Sequence, residues 1–228
     1  MACVVGIANN NPLLDLEGID EMADLTTLPG STYAVINAEG TPREICSGTI
    51  PDFSDRGYTK TMMERVEAAV KADIQGRITA AAPLSPEVDV AAATAMAVRS
   101  LRSNAAEDRK NLLVYHFSGI STSGLVDMTV VPVCEMDVDV SAERLAECLG
   151  LDMAGIDVLM YCCGDVAGED QPPLSVQERE KLKEFYRRLF TGLGADSVQF
   201  MDDIPSSGSY CFDQQVTVMR TEETVSGL

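Results

Sequence analysis

The residues most capable of chemistry lie together in NLLVYHFSGIS: His116, the single histidine of the chain, and Ser118, two positions later. A hydroxyl beside an imidazole is the minimal pair for nucleophilic catalysis, because the base must take the proton of the attacking oxygen. The surrounding sequence lacks the G-x-S-x-G turn that presents such a serine at a strand end. His116 therefore reads as a structural histidine within an apolar strand, and a serine hydrolase built on Ser118 is kept only as an alternative. Cys162 and Cys163 are adjacent thiols with no basic neighbour in sequence to stabilise a thiolate, so they read as buried packing on opposite faces of a strand. Residues 134–139 (CEMDVD) alternate acids with apolar residues but lack the glycine and closing glutamate of a calcium loop. A half-exposed strand or solvated edge is expected there. Neither G-x-x-x-x-G-K-[ST] nor G-x-G-x-x-G occurs, so no phosphate-cradling loop is expected. Arg179, Lys181, Lys183, Arg187 and Arg188 share one predicted helix with Glu178, Glu180 and Glu184. Ion pairs at helical spacing, such as Glu184 with Arg188, give a solvated face.

Charge narrows the partners. Seventeen basic against thirty-six acidic residues leave a formal charge of −19, a field that repels phosphate backbones and anionic lipid. Nucleic acid and membrane insertion are therefore not expected; a protein partner or self-association is. Seven cysteines without a C-x-x-C pair, and with one histidine, do not make a zinc pattern. Buried thiols in a reducing compartment, the cytoplasm, are the expectation. The opening MACVVGIANN has neither the basic region nor the apolar run of a signal peptide.

The elements that must position these residues follow from periodicity and turn chemistry. Residues 2–8 (ACVVGIA) form a short buried strand, broken by Asn9, Asn10, Asn11 and Pro12. Residues 13–25 allow a helix weakened by Gly18. Residues 31–37 (STYAVIN) are a strand, 39–42 a turn, and 43–50 its hairpin partner. Thr61 and Glu64 have capping-box spacing, with Met62, Met63, Val66, Ala69 and Val70 on the following helix. Residues 74–82 read as an Ala-rich connection with one candidate short strand. Ser85-Pro86 then starts a nearly all-apolar helix to about Ser103, with Ser85 as its cap. Residues 111–117 are a continuous apolar strand, as in a sheet covered on both faces. A polar loop, 118–124, follows, then an apolar stretch, 125–133, expected to pack on the body. Residues 141–149 form a helix stopped by Gly150, and 156–163 (IDVLMYCC) a fourth strand. Ser175 and Glu178 form a second capping box. It leads a helix with Leu182, Phe185, Tyr186, Leu189, Phe190 and Leu193 on one face, ended by Gly192 and Gly194. Residues 197–200 (SVQF) close the pattern. Such alternation predicts one α/β domain, 1–204: doubly wound, mostly parallel, helices on both faces, one antiparallel edge strand. Residues 205–228 are a tail with one further candidate strand, 214–219.

This order resembles the von Willebrand factor type A (vWA) fold, a Rossmann-like architecture. Ser85-Pro86-Glu87-Val88-Asp89 resembles the threonine loop before that fold's third helix, and LLVYHF followed by SGISTSGLVDM its fourth strand and next loop. More narrowly, STSGLVDM, GDVAG and LSVQEREKLKEF are similar to the vWA-like region of bacterial proteins of the outer-membrane-protein-A (OmpA) family, over about residues 2–200. The resemblance implies a metal-ion-dependent adhesion site: Asp-x-Ser-x-Ser after the first strand, a threonine before the third helix and an aspartate after the fourth strand, holding Mg²⁺. Here the first set falls at Ala8-Asn9-Asn10-Asn11-Pro12 and the last at Phe117 or Ser118, with no carboxylate in either; the threonine position falls at Ser85. Neutral ligands repay little of the cost of stripping water from Mg²⁺. The site is therefore expected to be degenerate, with no cofactor, Mg²⁺ binding being the alternative. Asp165, the nearest substitute acid, reads as a loop carboxylate capping a turn. The strand order implied by the resemblance places a crevice between the first and fourth strands, lined by Asn9, Asn10, Ser85, Ser118, Ser121 and Thr122. The expected function is a non-enzymatic protein-binding or self-assembly module. The alternatives are an Mg²⁺-dependent adhesion domain and the hydrolase.

Overall fold

Ala2–Val5 (β1) is buried at all four positions, as a strand walled by helices on both faces must be. Thr32–Asn37 (β2) and Asn111–His116 (β4) flank it, both parallel. Ile156–Tyr161 (β7) pairs with β4, and Ser197–Met201 (β8) with β7, again in parallel. Arg43–Thr49 (β3) returns antiparallel on β2 as an edge strand. The sheet order is β3-β2-β1-β4-β7-β8, which for its six strands taken in chain order is the 3-2-1-4-5-6 of Rossmann-like sheets. The fold class expected above is thus observed: a mostly parallel, Rossmann- or vWA-like α/β sheet with one antiparallel strand. The computed structural model describes residues 1–8, 30–53, 57–104, 111–166 and 172–201. The turn expected at 9–12, the helix at 13–25 and the strand at 214–219 lie outside them.

Each face of the sheet has its own apolar layer. Helix α1 (Lys60–Ala80) lays Ile74 and Ile78 on Cys3, Val35, Val114 and Leu159. The opposite face carries α2 (Val90–Ser103), α3 (Val138–Leu149) and α4 (Val176–Gly192), with Val4, Ile36, Leu113, Tyr115 and Val158 beneath them. Helix α2 lies close to β1 and β2 because alanines face the sheet, with Ala93 and Ala97 fully buried. Inside this layer the Thr94 and Tyr115 hydroxyls hydrogen-bond at 2.6 Å. No helix among the described residues is long and apolar enough to cross a membrane.

Several expectations need correction. Residues 74–80 continue α1 rather than forming a connection, because Ile74 and Ile78 complete its buried stripe. The cap of α1 is Thr59, whose hydroxyl takes the Met62 N–H, not Thr61. Helix α2 begins at Val90 with Asp89 as its cap, not at Ser85. Glu39 and Val88 form an antiparallel bridge and the Asp89 N–H donates to the Ala38 carbonyl, so tertiary pairing keeps the chain before Asp89 extended. Residues 134–139 are neither strand nor edge: Asp137 caps α3, which starts at Val138, and its carboxylate accepts the Val140 N–H. Strand β7 ends at Tyr161. Beyond it Cys162 adopts a left-handed φ of 56°, while Cys162 and Cys163 still join opposite apolar layers. The stretch 125–133 packs only in part: Met128 and Val133 are buried, but Leu125, Val130 and Val131 are exposed.

Candidate functional site

Strand order switches between β1 and β4, the position at which Rossmann-like sheets place a crevice at the C-terminal strand ends. Register brings Asn37, Val5, His116 and Tyr161 into one row there. Asn37, which sequence reasoning did not single out, is fully buried. Its amide oxygen accepts the Ile7 N–H (2.8 Å) and its nitrogen donates to the Ile7 carbonyl (3.0 Å). A side chain thus extends the β1–β2 ladder past its last backbone pair and fixes where the chain leaves β1.

The hairpin of Thr122–Ser123 (β5) and Val126–Asp127 (β6) docks the polar loop after β4 onto the start of α2. Val88 is the hub. Its N–H donates to the Thr122 hydroxyl (2.8 Å), and its carbonyl accepts the Thr122 N–H (2.9 Å) and the Ser121 hydroxyl (3.2 Å). The Ser121 hydroxyl also accepts the Val90 N–H (3.3 Å), one of the donors a helix leaves unmatched in its first turn. Gly124, at the hairpin tip, has φ +79° and lies against the Asp89 carboxylate; a Cβ there would fall 2.2 Å from the carboxylate oxygen. Asp89 is thereby held over its own cap bond to the Ala92 N–H (2.9 Å).

The other predicted residues are similarly engaged. The Ser85 hydroxyl accepts the Glu87 N–H (3.1 Å) in a local turn. Ser118 is fully buried; its hydroxyl accepts the Ile120 N–H (3.3 Å), and its carbonyl accepts the Gly164 N–H (2.7 Å). The structure therefore gathers Ser121 and Thr122 on Val88, sets Ser85 three residues before that hub, and anchors Ser118 to the turn after β7. Asn9 and Asn10 lie outside the described residues.

Glu39, at the start of the turn expected at 39–42, has a buried carboxylate. It pairs with Arg43 and accepts the Leu84 N–H (2.8 Å), while Arg43 donates to the Ala82 carbonyl (2.8 Å). The i,i+4 spacing of Glu39 and Arg43 was the available signal. It was masked by the Gly40-Thr41-Pro42 turn between them. This ion pair fastens the β2–β3 hairpin to the segment that leads into α2.

The cation implied by the vWA resemblance can be tested against these donors. Ser85, Ser118, Ser121 and Thr122 each already accept a backbone N–H. Asp89 is the α2 cap and Asp165 is paired with Arg179 at 2.6 Å, rather than merely capping a turn. Among the described residues no group of three histidine, cysteine, aspartate or glutamate side chains converges. The described residues do not fit a divalent ion, because no set of carboxylates converges to compensate its charge and the hydroxyls are already engaged by backbone N–H groups.

His116 and Ser118 are both buried, and the His116 ring stacks on Tyr161 at 5.6 Å in the α1-side layer. Cys163 lies beneath the crevice, where burial pushes its thiol up to about 12 despite the nearby Lys183. A thiol so disposed stays protonated and unreactive.

No family model matches the chain, and no curated protein matches it. Among solved structures, one similar to it is that of an aerotolerance-related membrane protein from Bacteroides fragilis NCTC 9343 with multiple mutations to serines. It has 12% identity and a TM-score of 0.45, over 97% of this chain and 98% of that one. Another is the conserved hypothetical protein BatB from Bacteroides thetaiotaomicron, with 11% identity and a TM-score of 0.42, over 99% and 96%. Neither is described as an OmpA-family protein. At identities and TM-scores this low the likeness carries no argument, and the vWA-like architecture rests on strand order and pairing.

Proposed function

We propose that the chain is a non-enzymatic vWA-like module that binds a protein partner, or a second copy of itself, through a degenerate adhesion site that does without a tightly held cation. One observation carries this reading: the hydroxyls at the expected crevice are engaged by the scaffold's own N–H groups, Thr122 by Val88 and Ser121 by Val90, with no carboxylate converging on them among the described residues. Among the described residues, such a crevice has a neutral hydroxyl lining and no nucleophile poised beside a base. The burial of His116 and Ser118 supports a non-enzymatic role. The net charge of −19 favours protein over nucleic acid as partner. The described cysteines are all free thiols, which supports a reducing, cytoplasmic setting. The motif-level similarity to the vWA-like region of OmpA-family proteins belongs to the same reading.

Affinity capture of the intact chain from lysate of its source cells, run with and without EDTA, tests the proposal. A retained protein, or a concentration-dependent rise in mass by light scattering, is expected and should be indifferent to EDTA. A strict monomer that retains nothing would overturn the module; retention lost in EDTA would overturn cation independence.

A further inference from the structure

Helices α3 and α4 pack side by side and leave between them a cleft of about 880 Å³. Its floor is made of small side chains. Ala142 is buried, and a Cβ added at Gly192 would lie 3.8 Å from the Ala146 Cβ, in ordinary contact. A helix laid on alanine and glycine can approach closely, since interaxial distance follows the side chains at the contact. Arg188 ties the two walls together, pairing with Glu184 on its own helix (2.7 Å) and with Asp139 on α3. Arg187 pairs with Glu184 (2.6 Å), and its guanidinium lies 5.1 Å from the Phe200 ring centre. Both bases of the cleft are thus engaged within the fold.

Against those two bases the lining holds four acids, Asp139, Glu143, Glu147 and Glu184. Asp139 and Glu184 have their cations, whereas Glu143 and Glu147, both exposed, have no ion-pair partner among the described residues. Local electrostatics oppose both. Asp139, Glu143 and Glu147 are spaced i, i+4, i+8, and like charges at that spacing repel. Glu147 also sits in the last turn of α3, where the carbonyl end of a helix disfavours an anion and no base is present. Residues that break a local rule without a gain inside the fold mark functional positions. The groove between the hairpin and α3 differs: Asp127 and Arg144, the one acid and the one base beside Leu125, Val131 and Cys148, cancel, so its charge selects no partner.

We infer that the α3–α4 cleft docks a basic helix of a protein partner, with small residues against Ala142, Ala146 and Gly192 and two Arg or Lys residues one turn apart on Glu143 and Glu147. The inference rests on the protein-binding reading and names the surface and the partner chemistry. Residues at i and i+4 share a helix face, so two cations so spaced match two carboxylates so spaced. A second copy suits the cleft poorly, because a molecule of charge −19 brings a field of the same sign.

The probe is a fluorescein-labelled, alanine-based helical peptide with arginine at every fourth position, read by fluorescence anisotropy on the full chain. A peptide of the same composition with its arginines scattered round the helix, and one with glutamate for arginine, are the controls. The arginine-striped peptide binds saturably and more tightly than either control. Glu143→Gln with Glu147→Gln weakens it about tenfold, the loss of two exposed ion pairs. The thermal melt of that double variant stays level or rises, because a repulsion has been removed. Glu64→Gln with Glu67→Gln on α1, across the sheet, changes net charge equally and leaves binding within about twofold, since salt screens distant charges. Absence of saturable binding overturns the inference. Equal binding of the scattered peptide, or equal weakening by the α1 pair, overturns it as well, since net charge alone then explains the effect. So does light scattering that shows a dimer disrupted by Glu143→Gln with Glu147→Gln, because a second copy then fills the cleft. If the peptide fails while a partner is still captured from lysate, the protein-binding reading stands and this surface alone falls; if both fail, both fall.

Discussion

Two neighbouring regions solve opposite problems. At the crevice between β1 and β4, polar residues are buried and their hydrogen-bonding capacity turns inward onto Val88, Val90, Ile120 and Gly164. At the groove between the hairpin and α3, apolar residues are left facing water. The first region resembles a ligand site by position but is a joint. The second has no chemistry-bearing motif yet keeps unspent interaction energy, since burial of exposed aliphatic area stabilises a complex by about 25 cal/mol per Å². A hydroxyl at an expected ligand position that holds a backbone N–H is fixed by the scaffold first, and without carboxylates beside it has little charge to offer a cation.

Gly124 links the regions, so changing it should have the largest effect. Gly124→Ala adds strain at a left-handed φ and drives a methyl into the Asp89 carboxylate that caps α2. Left-handed strain and a lost cap together cost about 2–3 kcal/mol, read by urea denaturation. A change under about 0.5 kcal/mol, the size of ordinary surface substitutions, would mean that hairpin and helix are not coupled as described. Next is Thr122→Val, which strands the buried Val88 N–H at a cost of about 2 kcal/mol, with Thr122→Ser recovering most of it. Unchanged stability in the valine variant would return Thr122 to the pool of free ligands.

Thiol reactivity compares the two regions directly. Cys148 lines the groove and is exposed, whereas Cys163 under the crevice and Cys3 in β1 are buried and pushed up to about 12 from about 9. Iodoacetamide labelling mapped by mass spectrometry should modify Cys148 at neutral pH and spare Cys163 and Cys3. Because folding favours the neutral thiols, their stabilising contribution is complete at neutral pH and is lost as pH rises from about 9 toward 12. Melting followed over that window should show alkaline destabilisation; early labelling of Cys163 would mean the crevice is open. The smallest effect is expected for Leu125→Ser, within about 0.5 kcal/mol of the parent, because its side chain is mostly in water. A larger loss would show that the groove is already filled by the chain itself.

Elements with strictly local causes were legible in the sequence. The Ser175–Glu178 capping box and the stripe from Leu182 to Phe190 appear as read, and Gly150 stops α3 in a left-handed conformation. The strand order was legible because alternating strand and helix patterns leave few topologies. What failed was set by distant partners. Ser85-Pro86 has good cap chemistry, but the Glu39–Val88 bridge keeps the chain extended and passes the cap to Asp89. Asp137 is the exception: its cap of α3 is local, on the Val140 N–H, and is hidden by alternating acids that imitate a strand. The engagement of Ser121 and Thr122 was not legible, because Val88 and Thr122 are brought together only by the fold.

Titration of the chain with Mg²⁺ and with Mn²⁺ by calorimetry, repeated on Ser121→Ala, tests most directly whether the crevice hydroxyls serve the scaffold rather than a cation. The account predicts no saturable heat and no melting shift at millimolar metal. A one-to-one isotherm abolished by Ser121→Ala would contradict it.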